Sequence, residues 1–161
     1  MNEMEDRLQP RRTGNTFDDP VTYAVIGAAQ KVHRALGVGF TEGTYHAALS
    51  RELTLEQIPH DSEREFKVYY EGAPCGVYRA DLVVQGDVIV ELKSVSKLCD
   101  EHRLQTISYL KASGFSRALL VNFGASSLEV RRFSNKKESL KSVNPVIPLK
   151  KPSLPPDPEY V

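Results

Sequence analysis

The sequence predicts an α+β (α/β-type) domain in which helices pack on a central sheet. Two amphipathic stretches come first, with apolar residues three and four apart. Strand-like segments rich in β-branched residues follow, and a further helical stretch separates the third of them from the fourth. The predicted order is α-α-β-β-β-α-β-β. At 161 residues the chain suits one domain with a core of ordinary size.

Residues 1–18 are polar and mixed in charge, and are expected to form a mobile N-terminal tail. Asp19-Pro20 opens the first helix, with Asp19 as N-cap and Pro20 at the first helical position. Val21, Val25, Ala28, Val32 and Leu36 make one apolar stripe, and Gly37 ends it. Thr41 is the expected N-cap of a second helix from Glu42 to about Gln57, stopped by Pro59. Tyr45, Ala48, Leu49, Leu53 and Leu55 supply its apolar content. Residues 63–70 alternate as a strand, and Glu71-Gly72-Ala73-Pro74 turns the chain. Two short strands follow, joined by Gln85-Gly86-Asp87, where Gly86 is free to take a positive φ. A third helix starts near Asp100 as its cap and ends at Gly114. Leu104, Ile107 and Leu110 form its expected apolar edge, while His102, Gln105 and Tyr109 share another. Residues 117–123 read as a buried strand and 128–133 as the last one. The domain thus spans 19–135. Residues 136–161, Lys-rich and then Pro-rich, are expected to be a tail without a packed core.

Composition narrows the function classes. Formal net charge is zero, so no global basic field announces a nucleic-acid binder. Any phosphate binding must come from a local patch, and Arg131 to Lys151 is such a basic stretch. Two cysteines, Cys75 and Cys99, suggest neither a disulfide scaffold nor a zinc site. The N-terminal segment lacks the apolar core of a signal peptide, and no apolar run is long enough to span a membrane. A soluble cytoplasmic protein is expected.

The stretch from Arg79 to Lys93 carries the chemistry. If Gln85-Gly86-Asp87 is the loop, Val84 pairs with Val88 and Asp81 falls opposite Glu91. Alternation then places Arg79, Asp81, Val83, Ile89, Glu91 and Lys93 on one face. The other face holds Tyr78, Ala80, Leu82, Val84, Val88, Val90 and Leu92, almost all apolar. Like charges facing each other across a ladder are destabilising. A divalent cation offsets that cost, and carboxylate oxygens suit Mg²⁺ or Mn²⁺. Lys93 projects from the same face, where an ammonium can orient water. A solvated salt-bridge face on an edge hairpin is the bland alternative. Arg79 either contacts a substrate backbone or balances charge.

Gly39-Phe40-Thr41-Glu42-Gly43-Thr44-Tyr45 matches the pattern G-x-x-E-x-x-Y. Asp81, Glu91 and Lys93 match D…E-x-K, and Asn122-Phe123-Gly124 after a hydrophobic strand also fits. On these segments, over roughly residues 20–134, the chain resembles the GxxExxY protein family, a branch of the PD-(D/E)XK nuclease-like superfamily. Ala80 stands where the superfamily's name has Pro. The resemblance implies a restriction-endonuclease-like αβββαβ core with its site where the central strands diverge. It implies metal-binding carboxylates at Asp81 and Glu91 and a catalytic lysine at Lys93. It adds Glu42 as an additional acid, Gln105 as a polar residue lining the site, and the Leu92 carbonyl as a further ligand. His102 and Tyr45 are candidate substrate contacts. Tyr45 by itself reads better as a packing residue whose hydroxyl anchors the site.

The expected function is therefore a Mg²⁺- or Mn²⁺-dependent nuclease that hydrolyses phosphodiester bonds, of DNA in preference to RNA, as a homodimer where two strands are cut. One alternative is a catalytically inactive nucleic-acid-binding or protein-interaction module on the same fold. Another is a small structural subunit. Metal affinity and turnover separate the three.

Overall fold

The computed structural model describes residues 19–135. Both predicted tails, 1–18 and 136–161, lie outside the described residues. Helix α1 runs Pro20–Leu36, and Asp19 caps it, its Oδ1 accepting from the N–H groups of Val21 (3.1 Å) and Thr22 (3.3 Å). Helix α2 spans Glu42–Leu55. It stops two residues earlier than expected, because Leu55 is exposed and Ile58 packs on the core instead. Strand β1 covers His60–Tyr70, β2 Ala73–Val84 and β3 Val88–Lys93. Helix α3 (Asp100–Ser113) then leads to β4 (Arg117–Asn122) and β5 (Glu129–Ser134). The sheet order is β1-β2-β3-β4-β5. Only β3 and β4 are parallel among neighbouring pairs, and α3 is the crossover that a parallel pair requires.

This is the mixed-sheet α+β architecture of the restriction-endonuclease-like fold. Helices α1 and α2 cover one sheet face, where Val25, Ala28, Leu49 and Leu53 pack with Leu82, Val90, Leu119 and Phe123. On the opposite face Leu110 of α3 packs with Tyr78, Ala80, Val83, Ile89 and Ala118. Strands covered on both faces read as unbroken apolar runs, which explains Leu82-Val83-Val84 and Ala118 to Val121. Among the described residues no helix is long and apolar enough to cross a membrane.

Helix α3 differs from its predicted face. Leu104 is 62% exposed, while Thr106 and Leu110 are buried and Tyr109 and Ala112 pack beside them. At about 100° per residue, Leu104 lies roughly 120° around the helix from Leu110 and turns outward. The N-cap is Cys99, not Asp100, and the Cys99 N–H donates to His102 Nδ1 at 3.2 Å.

The β2–β3 register is the expected one: Val84 pairs with Val88, Val83 with Ile89 and Leu82 with Val90. Both Gln85 (φ 51) and Gly86 (φ 64) take left-handed backbone in the turn. Strict alternation along β2 does not hold. Tyr78 and Ala80 pack with Val83 and Ile89, whereas Leu82 and Val84 pack with the opposite cluster. The pleat reverses at Asp81. Across from it on β1, Glu63 has φ 56, and the ladder passes from Ser62–Leu82 to Arg64–Ala80 without pairing Glu63 and Asp81. A left-handed residue in a strand disrupts the local pleat. The reversal carries Arg79 to the face away from Glu91, where it forms a 2.8 Å ion pair with Glu65. The expectation that Arg79 shares a face with Glu91 and Lys93 is thereby corrected.

Arg117, at the start of β4, ion-pairs with both Asp19 and Asp87 and so ties the α1 cap to the β2–β3 turn. Burial pushes the Asp19 carboxyl up, but Arg117 and the Thr22 N–H outweigh it and hold it below its ordinary value of 3.8. A depressed carboxyl stabilises the fold above its unfolded pKa, and that share is lost as pH falls through the folded one. Arg117→Ala is expected to cost about 1–3 kcal/mol at neutral pH. The deficit should shrink below pH 3.8, which urea unfolding across the acid range checks.

Candidate active site

The site lies where β2 and β3 part. Beyond the Leu82–Val90 pair the backbone ladder gives way to a side chain: Asp81 Oδ2 accepts from the Leu92 N–H at 2.7 Å. In an extended strand the N–H and C=O of one residue project to the same edge. The Leu92 carbonyl therefore points to the same β2-side gap as the Asp81 carboxylate. Glu91 is 7% exposed, and its Oε1 is buried without a hydrogen-bond partner. Burial first, then the Asp81 charge and the hydrogen bond with Asp81, push the Glu91 carboxyl up to about 9; Lys93 pulls the other way. A cation beside Asp81 would satisfy the orphaned oxygen and displace the proton. Two carboxylates and a strand carbonyl are the hard-oxygen set that Mg²⁺ or Mn²⁺ takes, with water filling the rest.

Lys93 follows on the same face as Glu91, and its Nζ donates to Gln105 Oε1 of α3 at 3.4 Å. Two tyrosines outside the sequence motifs wall this side. Tyr78 and Tyr109 stack with ring centroids 4.0 Å apart, and the Tyr78 hydroxyl donates to the Tyr109 carbonyl at 2.9 Å. Burial, and after it the Glu91 charge, raises the Tyr109 hydroxyl. Tyr109 carried a sequence signal, since it shares the helix edge of Gln105. Tyr78 carried none, because only the pleat reversal brings it to this face.

The loop after β3 is anchored by Asn122, which is fully buried at the end of β4. Its Oδ1 accepts from the N–H groups of Val95 and Gly124, each at 3.0 Å, and its Nδ2 donates to the Val95 carbonyl and Glu129 Oε1, each at 2.9 Å. Ser94 in turn donates to the Phe40 carbonyl at 2.7 Å. This joins the loop that follows Lys93 to the segment before α2.

Of the other predicted residues, Tyr45 is completely buried, stacks on Phe123 at 4.7 Å, and donates its hydroxyl proton to the Gly37 carbonyl at 2.5 Å. It offers no surface to a substrate; it latches the Gly37–Thr41 loop. Glu42 is exposed in the first turn of α2, where an acid complements the helix dipole. Among the described residues no three His, Cys, Asp or Glu side chains gather as a metal site. His102 is turned back to its own helix start, within 3.5 Å of Cys99 Sγ, and serves as part of a cap.

A mixed sheet whose central strands diverge over an aspartate, a glutamate and a lysine defines a D…E-x-K domain. The chain belongs to the PD-(D/E)XK nuclease superfamily, whose family model matches residues 19–133. A solved structure described as "Crystal structure of SSO0001" is 18% identical, with 60% of this chain and 52% of that chain covered and a TM-score of 0.48. This chain thus spans about half the length of that one. No curated protein matches.

Proposed function

We propose that this protein is a metal-dependent nuclease hydrolysing phosphodiester bonds of nucleic acid, DNA before RNA. The observation that carries the reading is the orphaned, buried Glu91 Oε1 beside the Asp81 carboxylate. Asp81, Glu91 and the Leu92 carbonyl would hold a Mg²⁺ or Mn²⁺ ion. When bound, the metal supplies Lewis acidity toward a phosphate and makes water a better nucleophile. The Asp81 side chain is pre-oriented by the Leu92 N–H, and this fixed geometry spares reorganisation when charge develops. Lys93 places an ammonium where negative charge accumulates on the phosphate. Gln105 is a positioning residue that holds the Lys93 Nζ. The G-x-x-E-x-x-Y segment supports membership of the GxxExxY branch, and a homodimer suits cutting of two strands.

The test is incubation with Mg²⁺ or Mn²⁺ and a panel of single-stranded, duplex and branched DNA and RNA. Cutting that requires the metal and is lost in both Asp81→Asn and Lys93→Ala is the expected outcome. Absence of cutting by every form, with substrate binding equal in wild type and both variants, would transfer the assignment to an inactive binding module.

A further inference from the structure

We infer that Phe40 is a stacking platform for an unpaired nucleobase at the rim of the site, so that the preferred substrate presents a single-stranded or branched nucleotide there; this rests on the nuclease reading above. Leu36 (36%), Val38 (53%) and Phe40 (47%) are all exposed within one short stretch. Their backbone is nonetheless pinned. The Gly37 N–H donates to the His33 carbonyl at 2.8 Å, and the Gly37 carbonyl accepts from the buried Tyr45 hydroxyl. The Phe40 N–H donates to that same hydroxyl at 3.4 Å, and its carbonyl accepts from Ser94, the residue directly after Lys93. Gly37 (φ 68) and Gly39 (φ 108) supply the left-handed backbone the loop needs.

Folding therefore fixes the backbone that carries this ring but leaves much of the ring in water. Phe40 and Tyr45 meet in a T-shaped pair, with centroids 6.1 Å apart and planes at 79°, and Phe40 keeps 47% of its surface exposed. A rigid, half-wet aromatic is pre-organised for a ligand with an apolar π face. Every phosphodiester has a nucleobase on either side of it. In a duplex those faces are already stacked on their neighbours, whereas unpaired bases are free to stack on protein rings.

The chain contains no tryptophan, so Phe40→Trp installs a single fluorescent reporter. The full chain is compared in a Lys93→Ala background, in which turnover is expected to be lost, using a labelled single-stranded oligonucleotide and a blunt duplex of the same sequence. Phe40→Ala is expected to weaken single-strand binding by about 5- to 100-fold and to leave duplex binding unchanged. Phe40→Tyr and Phe40→Trp should restore it, and the tryptophan emission should quench saturably with the single strand alone. Unchanged single-strand affinity in Phe40→Ala, or equal losses on both substrates, would overturn the inference while leaving the nuclease reading intact. A Phe40→Ala protein that dissociates from dimer to monomer in sedimentation would assign the ring to a second copy of the chain instead. Failure of both the wild type and the Lys93→Ala parent to bind either oligonucleotide would remove both readings together.

Discussion

Glu91→Gln is expected to make the metal-free protein more stable and to abolish its response to Mg²⁺ and Mn²⁺. The reason is the raised carboxyl. Glu91 titrates near 9 in the folded chain, against an ordinary 4.5. Between those values the folded state holds a proton that the unfolded state has released, so stability falls as pH rises through the window. Glutamine cannot ionise and leaves that loss behind. At pH 8 the gain should be about 1–3 kcal/mol, and it should vanish below pH 4.5. A cation does to the wild type what the substitution cannot. It replaces the proton, so metal binding should release protons and should stabilise more at pH 8 than at pH 6. Thermal melts with and without Mg²⁺, and calorimetry in two buffers of different ionisation heat, read both effects. Cutting by Glu91→Gln should fall at least about a hundredfold. A buried acid with a purely structural role predicts the reverse, a less stable variant whose metal response persists.

The same residue shows how far the sequence could be read. The facing of Asp81 and Glu91 follows from a turn chemistry that is local: Gly86 tolerates left-handed backbone, and the β-branched flanks fix which residues pair. Asp19-Pro20 and Gly37 bound α1 for equally local reasons. What escaped were features with no local signal. Glu63 and Gln85 adopt positive φ although neither is glycine, and the first of these accompanies the pleat reversal that removes Arg79 from the site and admits Tyr78. Helix α3 is weakly amphipathic in sequence, so its buried edge is decided by the sheet it meets, and Leu104 fell on the wrong side. Glu42 belongs to a motif that marks a loop. Gly39 and Tyr45 in that motif shape the backbone, and Glu42 itself stays at the helix start. Asn122 and Gly124 stood out as a segment, but their role required knowing which loop comes back to them.

That role predicts a large loss of stability. Asn122→Asp keeps volume and shape, and its Oδ1 can still accept from the Val95 and Gly124 N–H groups. The substituted Nδ2 is another matter. In its place an acceptor oxygen would face the Val95 carbonyl and the Glu129 carboxylate, both of which accept from the present amide. Two buried bonds become two repulsive contacts, for a cost of about 3–5 kcal/mol that should grow as the new carboxyl ionises. Gly124→Ala attacks the same junction from the other side. A Cβ there would overlap the Val95 backbone N and O and come within 2.7 Å of the Ser94 carbonyl carbon. Backbone cannot swing aside as a side chain can, so the Ser94–Val95 segment must move, at about 1–3 kcal/mol. Because that segment leaves directly from Lys93 and holds Phe40, both variants should also lose catalysis under conditions where they remain folded. Denaturant unfolding beside single-turnover cutting separates the two effects. A Gly124→Ala protein that matches wild type in both would mean that the loop is free to shift and does not position the lysine.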